Sequence, residues 1–334
     1  MDKHIQLYTT ACVPSGYEKV VNEMVIAYET YGQLRSGKDN AILVIHGFSV
    51  NSHVASHSPA DEEGWWEWMV GPGRVLDTNR YFIVCMNNLG SCFGTTGPTS
   101  LNPKTCNPYG EDFPSPTVFQ MVWLQQKLQD ELGIPRWYAV IGGSLGGMAA
   151  LEWGATFPEK VSRVICLNAG ASLSNIGRGL VELQAELLRI AQVEGMHAAR
   201  RLANIMYLSE EFFCHRLQQD PAWSLSSFLS AEVDEFIGRF NFFSYLGLLH
   251  AMQQFDLYPA CKAIDTSLNK PSISIVGCQD DILFPSTVIN ETIRRFSPFV
   301  KVNALIVRSC FGHDAFLLDT DLYSSIVENL INGA

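Results

Sequence analysis

Residues 142–147 read Gly-Gly-Ser-Leu-Gly-Gly, and this run is the clearest candidate for chemistry in the chain. It directly follows an apolar segment, 137–141, and leads into a helical pattern over 148–157. A serine in G-x-S-x-G spacing between a strand and a helix is typical of a sharp turn that presents its hydroxyl as a nucleophile. The alternative is a glycine-rich phosphate loop, but the run lacks both a Lys-Ser/Thr ending and a dinucleotide-binding spacing. We therefore predict that Ser144 is a nucleophile.

A serine hydroxyl needs a base, because it is a weak nucleophile near neutral pH. Among the eight histidines, His313 has the best context, since it follows the last apolar run and precedes the last helical pattern. An acid that orients this base is predicted at Asp280 or Asp281, which follow the apolar run 273–276. The chain order serine, aspartate, histidine is typical of the α/β-hydrolase fold.

The negative oxygen that forms during attack by a serine needs two backbone N–H donors, which together are called an oxyanion hole. One donor is expected from Leu145, the residue after the nucleophile. The second is expected from the loop after the first core strand, where the sequence reads His46-Gly47-Phe48. We predict the Phe48 amide for this role. The alternative for the same segment is an ordinary tight turn.

Continuous apolar runs predict strands that are buried on both faces of a sheet. These runs cover 41–45, 81–86, 137–141, 164–167, 273–276 and 304–307. Helical patterns lie between them, one beginning at the capping-box pair Thr117 and Gln120, another after Ser144, and the last over about 319–332. This alternation predicts an α/β protein with a mostly parallel central sheet. The segment 21–31 is expected to add an antiparallel edge strand.

The alternation stops between about 172 and 256, where the patterns are helical at 180–190, 196–208 and 233–255. We predict a helical cap over 172–256 that is inserted into an α/β-hydrolase core formed by 1–171 and 257–334.

Composition narrows the range of partners. The chain has 334 residues and a net charge of −11, with no clustered basic run, so a nucleic-acid partner is not expected. Nine cysteines without a CxxC pair argue against a disulfide framework or a zinc site, and no metal is expected. No apolar stretch is long enough for a membrane span and no secretory signal is visible, so we expect a cytoplasmic protein.

The order and spacing of many short segments resemble the homoserine O-acetyltransferase family of the α/β-hydrolase superfamily, which also holds serine O-acyltransferases. The matching segments include 64–66, 71–73, 77–82, 88–92, 94–98, 102–103, 142–148, 150–153, 207–211, 244–246, 251–252, 255–257, 281–285 and 312–317. The family's Asp-x-Leu-Phe-Pro motif aligns with Asp281, which favours Asp281 over Asp280 as the acid. The residue after the catalytic histidine binds the amino-acid acceptor in the family, and here it is Asp314.

The resemblance implies transfer of an acyl group, most simply acetyl, from acyl-CoA through an acyl-serine to homoserine or a related amino acid such as serine. Acetyl-CoA is then a co-substrate, with no bound cofactor, in a pathway of amino-acid (methionine) biosynthesis. A homodimer through the cap is also implied.

One departure from the family pattern concerns the acceptor. A cap helix of the family carries an arginine that contacts the acceptor, and Leu183 aligns there, with Arg178 and Arg189 nearby but off register. This departure keeps a short-chain ester hydrolase as the alternative function. A non-catalytic binding protein is disfavoured, because all three triad positions are filled.

Overall fold

The computed structural model describes residues 4–11, 13–17, 20–220, 222–258, 264 and 269–333. Two of the nine cysteines, Cys12 and Cys261, lie outside these described residues. The strands are β1 (Gln6–Thr10), β2 (Met24–Tyr31), β3 (Ala41–Ile45), β4 (Val70–Gly71), β5 (Leu76–Asp77), β6 (Phe82–Met86), β7 (Ala139–Gly143), β8 (Arg163–Leu167), β9 (Ser272–Cys278) and β10 (Val302–Val307). The helices are α1 (Val118–Glu131), α2 (Leu145–Thr156), α3 (Asn175–Tyr207), α4 (Glu210–Gln219), α5 (Leu225–Arg239), α6 (Phe242–Gln254), α7 (Ser286–Phe296), α8 (Ala315–Leu318) and α9 (Thr320–Asn332).

Within the described ranges, eight of these strands form one sheet in the order β1-β2-β6-β3-β7-β8-β9-β10. The neighbours from β6 to β10 are parallel, whereas β1 with β2 and β2 with β6 are antiparallel. The predicted α/β fold with a mostly parallel sheet is therefore confirmed. The prediction that the segment 21–31 forms the edge is wrong, because β1 lies outside β2. The polar sequence of β1, Gln-Leu-Tyr-Thr-Thr, gives no apolar signal, as befits a partly exposed edge strand.

Five of the six apolar runs lie in strands inside the sheet, where side chains on both faces are largely buried. The sixth run, 304–307, belongs to β10 at the edge of the sheet, where Leu305 and Ile306 are exposed, so the prediction of burial on both faces is wrong for this run. Alternate residues of β3 point to opposite layers, with Leu43 in one hydrophobic cluster and Ile42 and Val44 in the other. Every residue of β3 and β7 is buried. This two-sided burial removes the polar alternation that a half-exposed strand would show.

The register of the parallel strands brings their carboxyl ends to one edge of the sheet. Ile45 pairs with Gly142, Gly143 with Leu167, and Val307 with Cys278. The loops after β3, β7, β9 and β10 therefore start at the same edge, where sites form in open α/β sheets.

The helices α3 to α6 are the described elements between β8 and β9. The base of this block is closed by a bridge between Ser172 and Asp256 and by the Leu257 amide, which donates to the Ala171 carbonyl over 2.9 Å. Treating 172–256 as a separate cap domain remains a prediction.

The predicted helical patterns 180–190 and 196–208 lie on either side of a break in α3 at Gln192, a residue with φ of 44°. The last predicted pattern divides differently in the structure. The stretch 233–255 is two helices, because Asn241 caps α6 by accepting a hydrogen bond from the Ser244 amide. None of the described helices has the length and apolar character needed to cross a membrane.

Candidate active site

Ser144 occupies the turn between β7 and α2. Its φ of 56° lies in the left-handed region, which is strained for a side chain other than glycine and is typical of an exposed nucleophile turn. Gly146 makes the turn possible, since a Cβ there would lie 2.1 Å from the Ile45 carbonyl oxygen. The Ser144 amide donates to the Leu167 carbonyl of β8, which anchors the turn to the sheet.

Ser144, His313 and Asp281 come together in one hydrogen-bonded chain. The Ser144 hydroxyl donates to His313 Nε2 over 2.8 Å, and His313 Nδ1 donates to Asp281 Oδ2 over 2.7 Å. The other oxygen, Asp281 Oδ1, accepts from the amides of Leu283 and Phe284. All three groups are buried, and they follow β7, β9 and β10 as the sequence predicted. The arrangement is that of a nucleophile, a base and an orienting acid.

The environment of His313 favours its charged form. Burial lowers the pKa of this imidazole, but the adjacent Asp281 carboxylate opposes burial and leaves the pKa raised above its ordinary value. An imidazolium that forms when the serine loses its proton is therefore stabilised where it forms.

The short turn that carries His313 is fixed by side chains from distant parts of the chain. Asn168, after β8, donates from Nδ2 to the His313 carbonyl over 2.7 Å, and the Tyr323 hydroxyl donates to Asn168 Oδ1. Trp66 and Trp68 donate from their indole nitrogens to the carbonyls of Phe316 and Leu317. The sequence analysis missed Asn168 and Tyr323, because no local motif marks a residue that acts across the fold.

Phe48 and Leu145, whose amides are predicted to form the oxyanion hole, both lie near Ser144. Phe48 lines the same cavity as Ser144, and Leu145 is the first residue of α2, where helical N–H groups have no partner within the helix. Neither amide donates a hydrogen bond to an acceptor within the described part of the chain.

A cavity of about 140 Å³ opens at Ser144. Its polar lining includes Ser144 and His313, together with Asp314, Tyr207 and two arginines, Arg200 and Arg239. The cavity thus presents a nucleophile, a carboxyl group and two guanidinium groups to a small ligand.

Arg200 is held inside this cavity by α3 and its neighbours. It is 8% exposed, its Nη1 donates to Ser49 Oγ over 2.9 Å, and its guanidinium lies 4.4 Å from the centre of the Phe236 ring. Its buried Nε has no acceptor among the described residues. Arg200 therefore contributes a largely buried positive charge to the lining of the cavity.

The cavity therefore contains a guanidinium, although Leu183 aligns with the arginine that contacts the acceptor in the family. Leu183 is 44% exposed on α3 and does not line the cavity. Arg178 donates to the Gln253 carbonyl, and Arg189 pairs with Glu182 and His250 outside the cavity. Arg200 precedes Tyr207 by seven residues, which is two helical turns, so this spacing in the sequence was a usable signal.

Asp314 lines the cavity beside these groups. Burial raises the pKa of its carboxyl group to about 6, against the opposing effects of His313 and Arg200. The carboxylate is therefore the main form above pH 6 or so, and it can pair with a ligand's cationic group.

One group of described residues has the composition of a metal site, although it lies apart from the cavity. Glu29, His53 and His57 place their ligand atoms within 4.8 Å of one another. Both rings hydrogen-bond to Glu29 Oε2, which also accepts from the Tyr31 hydroxyl, while Oε1 accepts from Ser52. Hydrogen bonds thus satisfy this carboxylate within the protein.

The sheet and the serine-histidine-aspartate site define an enzyme of the α/β-hydrolase class. In agreement, the family model described as "alpha/beta hydrolase fold" matches residues 40–320. The L374D mutant of esterase E22 shares the fold, with a TM-score of 0.88 and 23% identity over 98% of this chain and 99% of that chain. A homoserine O-acetyltransferase from Bacillus anthracis also shares it, with a TM-score of 0.86 and 24% identity over 99% of this chain and 98% of that chain. The fold is thus shared by an esterase and a transferase.

Sequence comparison is more specific than the fold. A homoserine O-acetyltransferase from Methanococcus vannielii is 37% identical over 94% of this chain and 70% of its own length. The chain belongs to the homoserine O-acetyltransferase family, as the resemblance predicted, and this is a family of acyltransferase enzymes.

Proposed function

We propose that the protein transfers an acyl group from acyl-CoA to the hydroxyl of homoserine through an acyl-Ser144 intermediate. In the first step Ser144 Oγ attacks the thioester carbon while its proton passes to His313 Nε2. The amides of Phe48 and Leu145 bind the negative oxygen of the tetrahedral intermediate. The C–S bond then breaks, and the proton on His313 passes to the sulfur of the departing coenzyme A.

In the second step the acceptor hydroxyl gives its proton to His313 and attacks the acyl-serine carbonyl. Collapse of the second tetrahedral intermediate returns the proton to Ser144 and releases the O-acyl amino acid. The acceptor's ammonium group pairs with the Asp314 carboxylate, and its carboxylate binds the Arg200 guanidinium. The observation that supports this proposal most strongly is that Asp314 and Arg200 line the cavity that contains Ser144.

Acetyl is the donor group that we propose, with acetyl-CoA as co-substrate and without a bound cofactor. The name of the family's relatives supports this choice. We place the enzyme in the cytoplasm, where acetyl-CoA is made and used.

A short-chain ester hydrolase remains the alternative, because water could attack the acyl-serine in place of the acceptor. Hydrolysis of the acyl-serine by water does not require a carboxylate and a guanidinium on the cavity wall. Their presence therefore favours the transferase, which has a zwitterionic acceptor to orient.

Product analysis separates these two functions. The enzyme is incubated with acetyl-CoA and homoserine, with serine, or with buffer alone, and both thiol release and O-acetyl amino acid are measured. We expect rapid thiol release and O-acetylhomoserine with homoserine, and slow release in buffer. Equal thiol release in all three samples without an O-acetyl amino acid would establish the hydrolase instead. Ser144→Ala is the control for uncatalysed thioester loss.

We also propose a homodimer through the cap. Ile176, Leu183 and Ile190 are exposed on α3 at seven-residue spacing, and the partly buried Leu180 and Leu187 lie between them. Apolar residues at alternating spacings of four and three form the seam of paired helices. An exposed apolar stripe of this kind is typical of a protein–protein contact.

A further inference from the structure

His46 is a buried histidine that takes no part in the triad. It directly follows β3 and is fully inaccessible to solvent. Its Nδ1 lies 2.7 Å from the Gly47 carbonyl oxygen, and its Nε2 lies 3.1 Å from the Asn88 amide nitrogen, in the loop after β6. The ring therefore lies between two loops at the edge of the sheet that carries the active site.

The two neighbours determine which ring nitrogen holds the proton. A carbonyl oxygen can only accept, so Nδ1 must donate to Gly47. A backbone amide can only donate, so Nε2 must accept from Asn88. The Asn88 side chain lies 3.4 Å from Nδ1 but donates to the His46 carbonyl at 3.3 Å, which leaves this assignment unchanged. Burial lowers the pKa of the ring to about 4, so the neutral ring persists at physiological pH.

The hydrogen bond to Gly47 orients the following amide. The Gly47 carbonyl and the Phe48 N–H belong to one planar peptide unit, and the described residues contain no cis peptide bond. In a trans unit the C=O and N–H groups point in opposite directions. A ring that holds the carbonyl on one side therefore turns the Phe48 N–H to the other side, away from the ring.

We propose that His46 is a positioning residue that fixes the Gly47–Phe48 peptide so that the Phe48 N–H points at the negative oxygen formed on the Ser144 adduct. This inference rests on the proposed acylation of Ser144, but it applies equally to a transferase and to a hydrolase. His46 touches no reacting atom and acts through the Phe48 amide alone.

Two neutral variants separate the two hydrogen bonds of the ring. In His46→Asn the amide nitrogen can take the place of Nδ1 and donate to Gly47, while the acceptor for Asn88 is lost. In His46→Gln the amide oxygen can take the place of Nε2 and accept from Asn88, while the donor to Gly47 is lost. Each variant therefore removes one hydrogen bond and leaves the other.

The first measurement is the acylation burst with p-nitrophenyl acetate, an ester that needs no amino-acid acceptor. The second is the affinity for a trifluoromethyl ketone, which forms a charged tetrahedral adduct on serine. His46→Gln is expected to lose about 10²–10³-fold in acylation rate at nearly unchanged KM, with a parallel loss in ketone affinity. His46→Asn is expected to stay within roughly tenfold of wild type. Equal losses in both variants, accompanied by equal losses in Tm, would show a merely structural role and overturn the proposal.

Nitrogen NMR of the unmodified enzyme gives a second test that no folding defect can affect. We expect His46 to show the Nδ1–H tautomer without titration between about pH 5.5 and 8. An Nε2–H tautomer, or protonation in this range, would contradict the proposal.

If wild type forms the acyl-enzyme from the ester but makes no O-acyl amino acid, the proposed transferase fails while the two variants still test His46. If the ester leaves no acyl group on Ser144, both proposals fall.

Discussion

Asp280 and Asp281 are adjacent carboxylates with different surroundings. Asp280 is exposed, whereas Asp281 is buried and bonds to His313 and to two backbone amides. Asp281→Asn should lower the acylation rate by around 10⁴, as loss of this carboxylate does in the serine-protease triad, because the wrong imidazole tautomer is then favoured. Asp280→Asn is the matched control and should retain nearly full activity. Equal rates for the two variants would contradict the assignment, and stopped-flow measurement of thiol release compares them.

Asp314 is expected to act in only one half-reaction. In the proposed mechanism its carboxylate pairs with the acceptor and has no role in attack on the thioester, so Asp314→Ala should leave acylation of Ser144 intact. Loss of a charged hydrogen bond of about 2–3 kcal/mol should lower kcat/KM for the acceptor by roughly 30- to 150-fold. Single-turnover measurements of acylation and of deacylation by homoserine test this separately. A matched loss in both steps would mean that Asp314 instead holds the turn of His313.

The residues of the triad were predictable because each follows an apolar run that marks a strand. Parallel strands bring such positions together whatever the distance between them in the chain. Arg200 was not predicted, because it lies in the helical block between β8 and β9 and the family alignment pointed to Leu183. Asn168 was missed for a different reason: its role depends on a backbone carbonyl, that of His313, which no side-chain pattern reveals.

At the scale of elements, the central strands were the most predictable part of the fold. Burial on both faces leaves a continuous apolar signature, as in β3 and β7. The edge strand β1 lacks that signature, and its pairing with β2 depends on backbone hydrogen bonds rather than on buried side chains. The break at Gln192 falls in the gap between the predicted helical patterns 180–190 and 196–208, and Gly195 lies close to it, where a Cβ would be 2.1 Å from the Leu187 carbonyl oxygen.

The cluster formed by Glu29, His53 and His57 ties β2 to the loop after β3. Burial raises the pKa of Glu29, but hydrogen bonds from the two histidines and Ser52 outweigh burial and leave the pKa lowered. Burial lowers the pKa of His53, but the Glu62 carbonyl and the Glu29 carboxylate leave it raised. The Glu29 contribution to stability is lost as pH falls below its unfolded pKa, and the His53 contribution is lost as pH rises through its folded pKa.

Both contributions are therefore present together between about pH 4.5 and 6.5. Glu29→Gln should lower the free energy of unfolding by about 3 kcal/mol near pH 6, because it leaves a buried imidazolium without its partner. The loss should be smaller near pH 8, where His53 is more often neutral. Urea unfolding at the two pH values measures both losses, with the exposed Glu63→Gln as control. A loss that is the same at both values would contradict a charged His53.

At the scale of the whole molecule, the exposed stripe on α3 predicts the dimer. Leu183→Lys with Ile190→Lys places two charges in the proposed seam and should convert the dimer to a monomer. Light scattering after size-exclusion chromatography measures the mass in solution. Leu217→Lys on α4 is the control, since Leu217 is also exposed but lies off the stripe. A wild-type monomer, or a dimer that survives the double substitution, would contradict the proposed interface.

The central claim is that acyl transfer passes through Ser144, and mass spectrometry of the intact enzyme tests it most directly. The enzyme is mixed with acetyl-CoA alone, quenched, digested and mapped, and a second sample receives homoserine before the quench. We expect one acetyl group on the peptide that contains Ser144 in the first sample. In the second sample we expect its loss, matched by O-acetylhomoserine. An enzyme that forms O-acetylhomoserine at the normal rate with no acetyl group on Ser144, or with the group on another residue, would contradict the account.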